Sequence, residues 1–226
     1  MTKDLRRTVI DAGVRIVEDH GIGALTTRMV TAAANTSTIA IYRLFGGMSG
    51  LLDALADETF ARFSRRLAEV PTTDDPVTDV FALGAAYRQY ALDNHQRYQL
   101  MFGAPGIARA GTVGRTDVTV TGHMTDRPQR AGAFDELLRA VRRMIDLGHI
   151  ADADASHVAA RLWSALHGAV TLEIAGFFGD VDNGLTQVLA PMTIDLLVGM
   201  GADRAHATQA LTKAARRQET PDRDKT

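Results

Sequence analysis

Residues 25–44 read LTTRMVTAAANTSTIAIYRL, a pattern that predicts two short helices joined by a tight turn. Thr26 and Ser37 each precede a helical stretch, the first starting near Thr27, and their hydroxyls can cap the first turn of a helix. Asn35 lies between the two stretches, and asparagine tolerates the left-handed backbone that a chain reversal needs. The segment is therefore a helix-turn-helix candidate.

The second of these helices is predicted to be amphipathic. Ile41 and Phe45, four residues apart, form an apolar stripe that faces inward. The opposite face carries small polar side chains and a cation. Because the second helix of a helix-turn-helix enters the major groove, double-stranded DNA is the expected partner.

A longer helix is predicted ahead of this segment, from about Asp4 to His20. Ile10, Val14 and Val17 recur on one face of it, and Gly21 follows as a helix stop. Three helices of this kind form a small DNA-binding domain.

The N-terminal pattern resembles the TetR family of transcriptional regulators over roughly residues 1–60. The resemblance rests on the glycine after the first helix, the Thr-Thr helix start and a Leu-Tyr-x-x-Phe signature that here begins at Ile41. Met48 stands where the family usually has a lysine that holds a phosphate, and Leu44 where it usually has a histidine. Backbone amides at the helix start, with Ser49, can replace that lysine, so we expect weaker non-specific affinity.

A DNA site follows from this resemblance and from the exposed face. Base edges are expected to meet Arg28, Ser37, Thr38 and Ala40, and phosphates to meet Thr27, Tyr42, Arg43 and Ser49. Residues 1–50 carry six basic and four acidic side chains, whereas the whole chain has a net charge of −2. The small basic excess predicts a limited footprint that needs two copies on one operator.

Composition limits the remaining possibilities. The 226 residues, 46% of them hydrophobic, can bury one sizeable core and a small accessory domain. The chain has no cysteine, which excludes a disulfide framework and a thiolate metal site. No apolar run is long enough to span a bilayer, and the charged N-terminus does not resemble a signal peptide, so we expect a cytoplasmic protein without membrane contact.

The expected fold is all-α. An N-terminal three-helix DNA-binding domain covers residues 1–47, with the helix-turn-helix at 25–44, a helical ligand-binding and dimerisation domain covers 48–212, and 213–226 form a disordered tail. Later helices are expected from near Met48 to before Pro71, from Pro76 to Asn94, around Tyr98 to Phe102, from Ala131 to Leu147, from Asp154 to Phe178, and from Leu185 to Met200 with an interruption at Pro191. Residues 103–130 are expected to form a long mobile loop.

Two later segments resemble the C-terminal regulatory domain of TetR-type proteins that is named for its Trp, His and Gly. They are residues 87–103, YRQYALDNHQRYQLMFG, and residues 163–168, WSALHG. The resemblance implies an all-helical domain that forms a homodimer through its last two long helices and often holds a small-molecule pocket.

The candidate pocket residues are mostly aromatic or long apolar side chains on the enclosing helices. They are Tyr90, Tyr98, Met101, Phe102, Phe134, Leu138 and Trp163, with Arg88 and His167 as polar contacts. The same side chains also fit an ordinary hydrophobic core, and His167 also fits a structural hydrogen-bonding role. The effector's chemical class stays open.

The dimer prediction rests on two helices that are apolar on more than one face. The interface candidates are Leu166, Val170, Ile174, Phe177, Val188, Leu189, Met192 and Leu196. Two such helices from each subunit would form a four-helix bundle, although these residues also fit an intramolecular core.

No catalytic residue, metal site or cofactor is predicted. Asp152, Asp154 and His157 precede a helix start, which capping and the helix dipole explain. The predicted function is a ligand-responsive repressor, not an enzyme, that binds a palindromic operator as a homodimer and is released by a small molecule. Two alternatives stay open: a helical protein that binds a small molecule or a partner and whose DNA contacts have decayed, and an all-helical enzyme.

Overall fold

The computed structural model describes residues 2–102, 128–179 and 182–219, and the regular structure within these ranges is helical, which confirms the predicted fold class. Its ten α-helices are α1 (Thr2–His20), α2 (Thr27–Ala33), α3 (Thr38–Phe45), α4 (Met48–Ala68), α5 (Pro76–Asp93), α6 (His95–Phe102), α7 (Pro128–Asp146), α8 (Ala155–Ile174), α9 (Ala190–Gly199) and α10 (Arg204–Glu219). A short 3-10 turn (Ile22–Ala24) follows α1, and a π-helical turn (Gly184–Leu189) leads into α9.

The first hydrophobic core joins α1, α2, α3 and the first half of α4. Its fully buried side chains include Val9, Val14, Val17, Val30, Ile41, Leu51 and Leu55. The first helix ends as predicted at Gly21, which has a positive φ of 76°. This core extends beyond residue 47, the predicted end of the domain, because Leu51 and Leu55 of α4 are buried in it.

The second core lies between the later helices and the C-terminal half of α4. Phe60, Phe63 and Leu67 of α4 belong to it, together with buried residues of α5, α7, α8, α9 and α10. Two helices reach both cores. One is α4 itself, and the other is α6, whose Leu100 is buried in the first core while Tyr98 is buried in the second.

Several predicted helix ends are wrong by a few residues. The helix expected at Ala131 begins at Pro128, and residues 103–127 of the predicted loop lie outside the described residues. The helix expected to reach Phe178 ends at Ile174, since Gly176 adopts a φ of 81° that an α-helix cannot continue. The interruption near Pro191 is a change from π-helical to α-helical geometry between Leu189 and Ala190, immediately before the proline.

The predicted tail is partly a helix. Residues 204–219 form α10, which packs against α5 and α9, whereas the sequence predicts disorder from residue 213. Ala207, Ala210 and Ala214 are its buried positions. Its apolar stripe thus consists largely of alanines, which give a weak hydrophobic signal.

Two features of the described residues bear on other classes of function. No single helix among them is long and apolar enough to cross a membrane, although α3 and α4 taken together, bent by 65°, meet the length and composition for it. In the same part of the chain, no three His, Cys, Asp or Glu side chains are grouped to hold a metal ion.

Candidate DNA-binding face and ligand pocket

Both helices of the helix-turn-helix begin as the sequence predicts. The hydroxyl of Thr26 accepts a hydrogen bond from the Met29 amide at 3.2 Å, and the hydroxyl of Ser37 accepts one from the Ala40 amide at 3.2 Å. Asn35 has a φ of 46°, in the left-handed region, where the chain reverses. The two caps fix the starts of α2 and α3, and the left-handed backbone of Asn35 reverses the chain between them.

Tight packing at its C-terminal end holds α3 against α4. Ile41 is fully buried, and Gly46 ends the helix with a left-handed φ of 74°. At Gly50 a β-carbon would lie 1.8 Å from the carbonyl oxygen of Phe45. Only glycine allows this approach, so α3 and α4 are in close backbone contact at Gly50.

The exposed face of α3 contains most of the predicted DNA contacts. Ser37, Thr38 and Arg43 are exposed, Tyr42 is 63% exposed, and Ala40 is half-buried. Arg28 is exposed on the neighbouring α2. The most exposed large apolar side chain on this face is Ile39, at 79%, which the sequence analysis did not select.

Two predicted phosphate contacts lie where α2 and α4 begin. The hydroxyl of Thr27 donates a hydrogen bond to the sulfur of Met48 at 3.8 Å, which brings the two helix starts together. Thr27 is half-buried, and Ser49 is exposed. The predicted phosphate contact of Thr27 thus competes with an internal hydrogen bond, whereas Ser49 lies on the surface.

The charge of this region favours an anionic partner. Between Asp19 and Asp53 the chain has no acidic side chain, and its two arginines, Arg28 and Arg43, are both exposed. The small excess counted over residues 1–50 arises because the acidic side chains all belong to α1. The charged side chains of the helix-turn-helix are therefore all basic.

A cavity of about 350 Å³ opens in the second core. Its walls come from α4, α5, the end of α6, α7, α8, the π-helical turn, α9 and α10. Three of the nine predicted ligand contacts line it: Phe102, Phe134 and Trp163. The walls also include Tyr87 and Leu211, which the sequence analysis did not select because their positions depend on how the helices pack.

The side chains that line the cavity are uncharged and mostly apolar. Its threonine hydroxyls already donate to backbone carbonyls, Thr186 to Asp182 at 2.9 Å and Thr193 to Leu189 at 2.8 Å. Burying an ion without a countercharge is unfavourable. The cavity is therefore suited to an uncharged, apolar molecule.

Beside the cavity, three polar side chains form a closed cluster. The hydroxyls of Tyr87 and Tyr98 are 2.9 Å apart, and they lie 2.9 and 2.6 Å from Nδ1 of His167. Burial lowers the pKa of His167 and raises the pKa of Tyr98 to about 12, so both are neutral near pH 7. Tyr98 and His167 do not line the cavity and contact it only through Tyr87 and the aromatic wall.

Arg88 pairs with a carboxylate and does not line the cavity. Its guanidinium donates two hydrogen bonds to the carboxylate of Glu173, at 2.9 and 2.6 Å, and both side chains are only 8% exposed. The pair ties α5 to the end of α8. Tyr90, Met101 and Leu138 are likewise buried and do not line the cavity, so the structure does not support their prediction as ligand contacts.

The predicted dimer residues divide into two groups. Val170 is fully buried and Leu189 is 6% exposed, so both belong to the protomer's own core, which corrects their prediction as interface residues. Leu166, Ile174, Val188, Met192 and Leu196 are half-buried. Phe177 is 74% exposed. Leu172, which was not among the predicted interface residues, is 45% exposed.

Comparison with protein families gives two matches that divide the chain as the two cores do. Residues 9–55 match a family described as bacterial regulatory proteins, tetR family. Residues 80–197, about half of the chain, match the family described as tetracyclin repressor-like, C-terminal domain. The subtype suggested by Trp163, His167 and Gly168 stays a prediction.

Individual relatives agree with these matches. The HTH-type transcriptional regulator Rv1816 of Mycobacterium tuberculosis is 21% identical, over 78% of this chain and 83% of its own length. A crystal structure of RolR with its ligand resorcinol has a TM-score of 0.67 at 14% identity, covering 94% of this chain and 95% of that one. A TetR-family transcriptional regulator of Pectobacterium atrosepticum has a TM-score of 0.64 at 23% identity, covering 88% and 95%. At these identities the two solved structures establish the fold alone.

Proposed function

Because the chain belongs to the tetR family of bacterial regulatory proteins and is thus a DNA-binding transcriptional regulator, we propose that it is a repressor that an uncharged, apolar effector releases from DNA. It acts in the cytoplasm as a homodimer on a palindromic operator. The observation that carries the DNA assignment is the exposed face of α3, which carries Tyr42 and Arg43 and no acidic side chain, is capped by Ser37 and packs on α4 through Gly50.

Two substitutions on this face test the DNA assignment. Loss of the Arg43 side chain (Arg43→Ala) removes one phosphate contact, so operator affinity falls and the slope of log affinity against log salt becomes shallower by about 0.9. Tyr42→Phe removes a single hydroxyl and weakens binding less. Fluorescence anisotropy with DNA that flanks the protein's own gene measures both.

Arg66→Ala is the matched control for that experiment. It removes the same charge from the C-terminal end of α4, where Arg66 is 60% exposed and pairs with Glu69 in the same helix region. Affinity and salt slope should match those of the parent. If the Arg43 and Tyr42 variants bind as tightly as the parent, the assigned face is wrong, and a partner-binding protein with decayed DNA contacts becomes the better interpretation.

The effector class follows from the cavity. Its volume, about 350 Å³, is roughly twice that of an apolar protein cavity known to hold benzene, which suits a molecule of two or three rings or an equivalent chain. Resorcinol, the ligand of the structural neighbour RolR, is also an uncharged ring compound. A lining without charge disfavours anions and cations alike.

Two fluorophores with the same skeleton test this class. N-phenylnaphthylamine is uncharged, whereas anilinonaphthalene sulfonate adds one negative charge to the same rings. Trp163, the chain's only tryptophan, lies in the cavity wall and reports binding by energy transfer. We expect the uncharged probe to quench Trp163 and the sulfonate to bind much more weakly; equal binding of both would contradict the proposed class.

The route from effector to DNA runs along α4. Phe60 and Phe63 of this helix line the cavity, while Leu51 and Leu55, two turns earlier, are buried with the helix-turn-helix. An effector that requires these phenyl rings to move therefore shifts the start of α4, and Gly50 passes that shift to α3. A coupling of about 1 to 3 kcal/mol would weaken operator binding by roughly 5 to 150-fold.

The dimer is proposed to form through α8 and α9. Leu172 near the C-terminal end of α8 and Phe177, three residues beyond that end, expose large apolar area, and Met192 and Leu196 are half-buried on α9. A two-fold dimer places two copies of α3 in successive major grooves, about 34 to 36 Å apart. Light scattering of Leu172→Glu should show monomers, whereas Leu147→Glu, at an exposed leucine after α7, should leave a dimer.

A further inference from the structure

Ile39 is an unusual residue for the surface on which it lies. It is 79% exposed, more than any other large apolar side chain of the described residues. It stands in the first turn of α3, and Tyr42 and Arg43 follow it at the three- and four-residue spacing that places side chains on one helix face. The face therefore combines one apolar side chain with aromatic and cationic neighbours.

Its position favours contact with base edges. The N-terminal residues of a recognition helix are those that reach the bases, and Ile39 is the second residue of α3. The surrounding segment has two arginines and no acidic side chain, so the partner that covers this face is an anion. An isoleucine side chain has no hydrogen-bonding group, and it cannot read the donors and acceptors of a base pair.

The major groove presents one apolar group that such a side chain can recognise, the C5-methyl group of thymine. We propose that Ile39 is a specificity-determining residue that selects thymine in each half-site by packing against this methyl group. The inference rests on the proposed DNA-binding function and adds a base preference to it.

The test removes the methyl group and nothing else. A duplex is first recovered with the full-length protein from a random-sequence duplex library, and each thymine is then replaced singly by uracil. For the parent protein, replacing one particular thymine in each half-site should lower the affinity about fourfold. This is the ratio expected when one methyl-sized apolar group loses its contact. Substitution in both half-sites should multiply the two losses.

Ile39→Ala should bind the thymine and uracil duplexes equally at that position. Arg43→Ala is the matched comparison, since it should weaken both duplexes while retaining the parent's thymine-to-uracil ratio. Because Ile39 is exposed, its replacement should leave thermal unfolding unchanged, which excludes misfolding as the cause.

The outcomes separate this inference from the function on which it rests. If the library yields no preferred duplex, the proposed DNA-binding function fails. If a duplex is recovered but no thymine methyl matters, or if Ile39→Ala still discriminates thymine from uracil, the assignment of Ile39 is overturned while the repressor proposal stands.

Discussion

Arg97 on α6 forms an ion pair with Glu18 on α1, with both side chains about a quarter exposed. The same short helix places Leu100 in the first core and Phe102 in the wall of the cavity. We therefore expect a ligand that displaces Phe102 to act on α1 as well as on α4. The structure thus offers two parallel connections between the cavity and the helix-turn-helix.

Arg97→Ala should weaken this second connection. We expect the variant to bind N-phenylnaphthylamine as the parent does, because Arg97 does not line the cavity. The ratio of operator affinity without and with the probe should become smaller than the parent's. Arg66→Ala, whose partner Glu69 lies beside it, should retain the full ratio; an unchanged ratio for Arg97→Ala would assign the coupling to α4 alone.

Replacing Met48 with the lysine common in the family should strengthen non-specific DNA binding. Met48 begins α4 next to the exposed Ser49 and is itself half-buried, so a lysine can pack its methylenes and extend its ammonium group outward. We expect Met48→Lys to steepen the salt slope by about 0.9, one additional phosphate contact. Met48→Leu, which adds no charge, should keep the parent's slope, and equal slopes for both variants would contradict the phosphate site.

The helix-turn-helix was predictable because its signals are local. Thr26, Asn35 and Ser37 act within three residues of themselves, and the caps and the left-handed turn occur where the sequence places them. Gly50, by contrast, was not predictable, because no local sequence pattern marks it. Its close contact with the Phe45 carbonyl depends on how α3 and α4 pack together.

The cavity was harder to predict because its lining depends on tertiary packing. Tyr87 and Tyr90 lie on the same helix three residues apart, yet only Tyr87 lines the cavity. The sequence gives both residues the same aromatic signal. One wall of the cavity comes from α10. Because the buried stripe of this helix consists largely of alanines, the sequence looks like a polar tail and does not indicate that Leu211 and Ala214 line the cavity.

Breaking the buried pair of Arg88 and Glu173 should destabilise the second core. Glu173→Gln removes the buried carboxylate and leaves Asp182, which is 85% exposed and 3.9 Å from the guanidinium, as an ion-pair partner of Arg88, so the loss should be up to about 3 to 5 kcal/mol. Chemical denaturation should show this loss. Glu69→Gln breaks an exposed pair with Arg66 and should cost no more than about 1 kcal/mol; a similar small loss for Glu173→Gln would mean that the pair is accessible to water.

His167 should make the protein less stable in mild acid. Burial lowers its pKa in the folded chain, so the unfolded chain binds a proton first as the pH falls. Its contribution to stability is complete above the unfolded pKa of about 6.5 and is lost as the pH falls from there toward the folded value. Thermal unfolding between pH 7.5 and 5 should show this decline.

His167→Gln should reduce this decline of thermal stability with falling pH, since glutamine keeps a polar group beside Tyr87 and Tyr98 but does not titrate. His157→Gln is the comparison, at an exposed position in the first turn of α8. If the variant at position 167 shows the parent's full pH dependence, the decline belongs to other groups.

Gly84 offers a way to occupy the cavity without an effector. It lies on α5 in the cavity wall, and a β-carbon added there meets no atom within 4 Å. Gly84→Ala should stabilise the protein by up to about 1 kcal/mol through helix propensity and leave room for a ligand. Gly84→Phe projects a ring into the cavity, so it should block N-phenylnaphthylamine and lower operator affinity in the absence of any small molecule. A Gly84→Phe protein that excludes the probe yet binds the operator like Gly84→Ala would show that filling the cavity is not the signal for release.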